Sequence, residues 1–170
     1  MTKLLRLYTK ALEAVMALGL ALMVVLVFGN VVLRYLFDSG ITVSEELSRW
    51  IFVWVTLLGA IVAMREHAHL GTDALVSRLP RTGKVACLVA GYVLMIGTCL
   101  LLLGGALEQT QINWTVSAPS SGASVAIFYA SGIVFAVSAI LIMLNDLYRL
   151  ATGKVPTGDL VIVRDSEEEL

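Results

Sequence analysis

The chain has 170 residues, of which 58 % are hydrophobic and 15 % charged, with a net charge of −1. That apolar content exceeds what ordinary globular domains carry. Nearly everything outside four long uncharged stretches is short connection or tail, which excludes a soluble catalytic domain.

The first span is expected from about Leu12 to Leu33. Lys3, Arg6 and Lys10 precede it as in a signal peptide, yet the apolar run from Ala14 to Leu33 is longer than the roughly 7–15 residues of a signal-peptide core. It therefore reads as a retained span. Glu13 lies at its entrance beside Lys10, roughly 15 Å from mid-membrane. Small four-span multidrug exporters carry their essential acid inside the first span, so Glu13 argues against that class.

The second span is expected from about Ser44 to Met64, with no charge after Arg49. Thr42 and Glu45 have capping-box spacing, and Glu45 with Arg49 can pair one helical turn apart. Beyond it, Gly71-Thr72-Asp73 opens a short apolar segment closed by Pro80. That pattern predicts a turn or two of interfacial helix capped by Asp73 or Thr72, with Arg78 toward the headgroups. His67 and His69 in the same connection fall on different helix faces and outside the bundle, where a membrane haem could not use them. No metal or other cofactor is expected.

The third span, Val85–Leu107, contains both cysteines. Cys87 and Cys99 are roughly 18 Å apart along a helix, too far for a disulfide with each other, and read as small apolar filler. Nor are they the close pair a quinone-linked thiol enzyme needs. Gly83, Ala90, Gly97 and Gly104 recur at spacing seven, with Gly91, Thr98 and Gly105 alongside. The fourth span, from about Val125 to Leu144, carries Ser124, Ser131, Ser138 and Asn145 at the same spacing. Seven-residue seams of small and hydroxylated residues suit left-handed helix contacts, so these two are expected to face protein rather than lipid. The fold class is thus an all-α membrane protein: a single four-helix domain over residues 1–152, then a disordered acidic tail over 153–170.

Of the 12 Lys and Arg residues, all except Arg34 and Arg49 fall on one side: the N-terminal tail, the Arg65–Lys84 connection and the C-terminal tail. The positive-inside rule then makes both termini cytoplasmic. Tyr35, Phe37, Trp50 and Trp114 mark the outer interface, Tyr8 and Tyr148 the inner one.

A transport or catalytic site inside a membrane normally shows itself as an ionisable residue deep in a span, and the uncharged windows contain none. No phosphate-binding glycine loop or nucleophile motif appears. The polar residues that stand out sit at helix ends. Asn30, Arg34, Glu45, Glu46, Arg49 and Trp50 lie at the outer end; Arg65, Glu66, His67, His69 and Asp73 at the inner. Either they are solvated termini with weak ion pairs, or they bind neighbouring helices or a partner, with Glu46 and Arg34 tying the first two spans.

Three segments also carry a family resemblance: Asn30-Val-Val-Leu-Arg34-Tyr-Leu-Phe37, Ser44-Glu-Glu-Leu-Ser-Arg-Trp50, and Gly59 through Arg65-Glu66-His-Ala-His69-Leu-Gly-Thr-Asp73. Together they resemble the small membrane subunit, DctQ type, of tripartite ATP-independent periplasmic (TRAP) transporters. The resemblance implies a bacterial inner-membrane complex in which a periplasmic binding protein delivers an organic anion such as a dicarboxylate. A large multi-span subunit moves it, generally with sodium, and the small subunit acts as scaffold rather than enzyme. The implied partners are that large subunit, the binding protein and the lipid bilayer, with no nucleic acid. Family members often open the last span with a proline and, two residues on, a tryptophan; aligned on Tyr129, Ser124 and Ala126 stand there. The rival readings are a tetraspan assembly factor for another complex and an autonomous small carrier or membrane enzyme.

Overall fold

A computed structural model describes residues 3–65 and 81–152. Four helices account for most of them: α1 (Lys3–Phe37), α2 (Thr42–Arg65), α3 (Arg81–Ile112) and α4 (Ala126–Ala151). Each contains a stretch long and apolar enough to cross a membrane: Leu7–Phe37, Thr42–Arg65, Val85–Ile112 and Ala126–Leu150. The protein is therefore an all-α membrane protein with four spans. The interfacial helix expected around Asp73 and the tail from residue 153 lie outside the described residues.

The helices overrun the spans expected from hydropathy. α1 begins at Lys3 rather than Leu12, α3 ends at Ile112 rather than Leu107, and α4 reaches Ala151 rather than Leu144. Hydropathy locates the hydrocarbon, whereas the backbone ladder continues into the headgroup region until a turn stops it. At the end of α1 that turn is tight. Asp38 takes a left-handed conformation (φ 49°), and the Ser39 N–H reaches back to the Leu33 carbonyl at 3.2 Å.

The helices form an open row rather than a closed bundle. α1 packs on α2, α2 on α4, and α4 on α3; among the described residues no other helix pair packs closely. The short 38–41 connection makes α1 and α2 antiparallel. Contacts of α2's first turns with the start of α4 make those two parallel. The described chain ends therefore share one end of the row with Arg65 and Arg81. The 38–41 and 113–125 loops share the other, called here the loop end.

Little of the molecule is enclosed. Ile61 and Met143 are the large side chains that are fully buried, joined by Leu58 and by Ala106, Ala126, Ala136 and Ala139. In lipid, an apolar side chain gains little by leaving the hydrocarbon for a helix contact. Close backbone approach through small residues drives association instead. Gly19 shows this on α1: a Cβ built there would lie 2.8 Å from Val55 Cγ2. One turn away, Gly59 on α2 receives Met16, with the sulfur 3.5 Å from where a Cβ would be.

The α3–α4 contact centres on Gly132, where a Cβ would meet the Ala106 methyl at 3.3 Å. Running antiparallel in steps of seven from that pair sets Cys99 opposite Ala139 and Tyr92 opposite Asp146. The α3–α4 contact thus also runs in steps of seven, on a line of α3 other than that of Gly97 and Gly104. An added Cβ at Gly97, Gly104, Gly91 or Gly105 would meet nothing within 4 Å. Ser131 is buried and donates to the Phe128 carbonyl at 2.6 Å. Ser138 shares a 3.1 Å hydrogen bond with the Tyr8 hydroxyl, linking α4 to α1 across helices whose backbones do not touch.

Candidate functional site

The polar groups of the described residues concentrate at the loop end, in two clusters that both start from the first turn of α2. The first joins α1 to α2. Asn30 is buried, and its side-chain oxygen accepts the Ile41 N–H at 2.6 Å while its amide nitrogen donates to Glu45 at 3.2 Å. Ser44 donates to the Leu26 carbonyl at 2.6 Å, and Ser48 donates one turn back to the Ser44 carbonyl. Inside a membrane such hydroxyls need a backbone partner, and here both have one. Arg34 approaches Glu45 at 3.8 Å, with both side chains more than half exposed (67 % and 53 %). That geometry is a loose surface pair.

The second cluster joins α2 to the loop between α3 and α4. Glu46 accepts the Ser120 N–H at 3.0 Å and the Ser121 hydroxyl. Arg34 and Glu46, which one of the two readings of the helix-end residues has tying the first two spans, do not pair with each other. Glu45 takes the arginine, because it lies on the α1 side of α2, while Glu46, one residue on, is turned about 100° toward the other neighbour. Nor does Glu45 reach Arg49, since Asn30 and Arg34 engage its carboxylate.

The loop that Glu46 grips is itself ordered by backbone pairing. Ser117 and Ser124 form an antiparallel bridge, Ala118 N–H bonds the Ala123 carbonyl at 2.8 Å, and Gly122 supplies the left-handed turn (φ 70°). Ser124 donates to the Trp114 carbonyl at 2.8 Å and accepts the Ala126 N–H at 3.3 Å. Its hydroxyl thereby closes the start of α4. Below the loop, the Trp54 indole donates to the Ile127 carbonyl at 3.1 Å, a second link between α2 and α4.

The remaining sequence candidates are not drawn into these clusters. Arg49 is exposed and makes no hydrogen bond or ion pair among the described residues, and Trp50 is half-buried. At the opposite end, Arg65 has a buried Nε with no partner among the described residues. Glu66, His67, His69 and Asp73 lie outside those residues. Sequence reading passed over Ser44, Ser48, Trp54, Ser120 and Ser121. Only Ser44 carried a signal, as a hydroxyl beside the capping-box glutamate. Chemically, the two clusters fasten the start of α2 to the end of α1 and to the loop between α3 and α4.

Residues 23–153 match the family described as tripartite ATP-independent periplasmic transporters, DctQ component. A Haemophilus influenzae protein named as a TRAP transporter small permease protein is 39 % identical over 150 residues, which cover 86 % of this chain and 93 % of that protein. A second protein of that name from the same organism is 34 % identical over 140 residues, covering 82 % and 85 %. The C4-dicarboxylate TRAP transporter small permease protein DctQ of Vibrio cholerae is 36 % identical over 93 residues, 54 % of this chain and 40 % of the relative. The family match runs from the middle of α1 past the end of α4 and takes in both fastened clusters. With four membrane-spanning helices beneath that match, the chain belongs to the DctQ component family of TRAP transporters, as a small permease subunit.

Proposed function

We propose that this subunit is the fixed frame against which the large transport subunit works during uptake of an organic anion of the C4-dicarboxylate class. Uptake is coupled to sodium, and a periplasmic binding protein delivers the anion. The observation that carries the reading is where charge and burial fall. The charged side chains of the four helices lie toward their ends, and only 6 % of the most apolar stretch is buried in each of α1 and α3. Such helices offer a solute no ionisable group at mid-membrane and keep most of their sides available to a neighbour. Glu46 and Asn30, by fastening the start of α2 to the loop between α3 and α4 and to α1, suit a part that must not move.

The charge asymmetry supports an orientation with both termini in the cytoplasm and the loop end in the periplasm, where the binding protein docks. The C4-dicarboxylate assignment is supported by the name of the Vibrio cholerae relative. Deleting the gene should abolish uptake while the soluble component still binds its ligand. Uptake at the normal rate without the subunit would overturn the frame reading. Purified alone into liposomes, the subunit should carry no flux.

A further inference from the structure

Between α1 and α2 at the loop end is a cleft of about 140 Å³. Its wall is almost wholly apolar: Val27 and Val31 line it from α1, with Asn30 between them in sequence and Arg34 one turn nearer the loop end, while Ser44, Glu45 and Ser48 line it from the start of α2. The volume lies well below the roughly 300–1,000 Å³ of sites for drug-sized ligands, yet it accommodates a phosphate and a short amine.

The hydrogen bonds of the wall decide which groups remain available. Asn30 spends its oxygen on Ile41 N–H and its amide on Glu45; the Ser44 and Ser48 hydroxyls donate to backbone carbonyls. These three side chains shape the cleft, and of their donors only the second Asn30 amide N–H has no acceptor among the described residues. Arg34 and Glu45 differ. Their single approach is 3.8 Å, between Nη1 and Oε1, so the remaining guanidinium N–H groups and Glu45 Oε2 have no partner among the described residues. A guanidinium and a carboxylate side by side, above an apolar wall at the edge of a membrane span, complement a zwitterion with a hydrocarbon tail.

We infer that this cleft holds the headgroup of a phospholipid bearing a primary ammonium, with the phosphate on Arg34, the ammonium on Glu45 and an acyl chain along Val27 and Val31. Such a lipid is phosphatidylethanolamine. Phosphatidylglycerol lacks the ammonium, and phosphatidylcholine replaces its three N–H donors with methyl groups that cannot hydrogen-bond a carboxylate.

The test uses the full-length chain in nanodiscs containing equal parts phosphatidylethanolamine, phosphatidylcholine and phosphatidylglycerol, with retained lipid read by native mass spectrometry. Phosphatidylethanolamine should be retained about fivefold over the other two, the order set by one charged contact at a membrane surface. R34Q should lose that retention. E45Q should keep a bound phospholipid and lose the preference among headgroups. V31W, which fills the apolar wall while leaving both charges in place, should also lose retention, and it guards against a folding defect in R34Q. Glu108→Gln, at the end of α3, serves as the control and should retain lipid as the unaltered chain does. Equal retention of the three lipids by the unaltered chain would overturn the assignment, as would undiminished phosphatidylethanolamine on both R34Q and V31W at unchanged helical content. Lipid retention is read without transport, so this result stands apart from the uptake experiment.

Discussion

Glu46 on the first turn of α2 holds Ser121 in the loop between α3 and α4, so a single carboxylate joins the two helical hairpins at the loop end. Removing it should free the loop before it disturbs the helices. In E46A, amide exchange at Ser120 and across the Ala118–Ala123 turn should quicken, with helical content unchanged. S121A should reproduce part of the effect, and the double variant should be no worse than E46A, because both changes cut the same link. Additive quickening in the double variant would show the two residues acting separately.

Gly19 and Gly97 should respond in opposite ways to the same substitution. At Gly19 the added atoms run into Val55, 2.8 Å from the first of them, and overpacking of this kind costs about 1–3 kcal/mol. G19L should lower the thermal stability of the isolated chain. At Gly97 and Gly104 nothing stands within 4 Å, so G97L and G104L should leave that stability unchanged. If those open positions meet the large subunit, the same variants should lower its co-purification; an unchanged yield of complex would assign this face of α3 to lipid.

Asn30 and Arg34 lie one turn apart on α1 yet should differ in energetic weight. N30A removes a buried side chain with both its hydrogen bonds, to the Ile41 N–H and to Glu45, and should cost about 1–3 kcal/mol. Arg34 and Glu45 form a loose, largely exposed pair, and a double-mutant cycle between them should give a coupling below about 1 kcal/mol. Denaturation followed by circular dichroism would measure both. A coupling above that range would mean the pair is tighter in the membrane than its 3.8 Å approach indicates.

Trp54 offers a spectroscopic handle on the α2–α4 contact. W54F keeps most of the ring area and loses the N–H that meets the Ile127 carbonyl. The cost should be near the ~0.6 kcal/mol average for hydrogen bonds between membrane helices. Loss of several kcal/mol would indicate a packing role for the indole beyond this bond.

The four spans and the concentration of polar residues at their ends were legible in the sequence, because length, hydropathy and charge are local properties. Partner choice was not. Seven-residue spacing says that a seam exists but not which of several parallel seams meets the neighbour. Ala106, which meets Gly132 between α3 and α4, belongs to none of the seams that the sequence displayed. Gly19, a lone glycine among leucines, gave no periodic signal at all. Glu46 was read toward Arg34 because opposite charges attract notice. Its actual partners are an uncharged hydroxyl and a backbone N–H, groups that every loop contains.

The open row has a topological consequence. Helices arranged α1–α2–α4–α3, each end helix packing its backbone closely on one neighbour, form a row rather than a ring among the described residues. A vestibule that opens first to one compartment and then to the other requires a ring or a pair of facing walls, and a row supplies only one wall. A solute path along the described helices would therefore need a facing wall from elsewhere, and the row defines one of its sides.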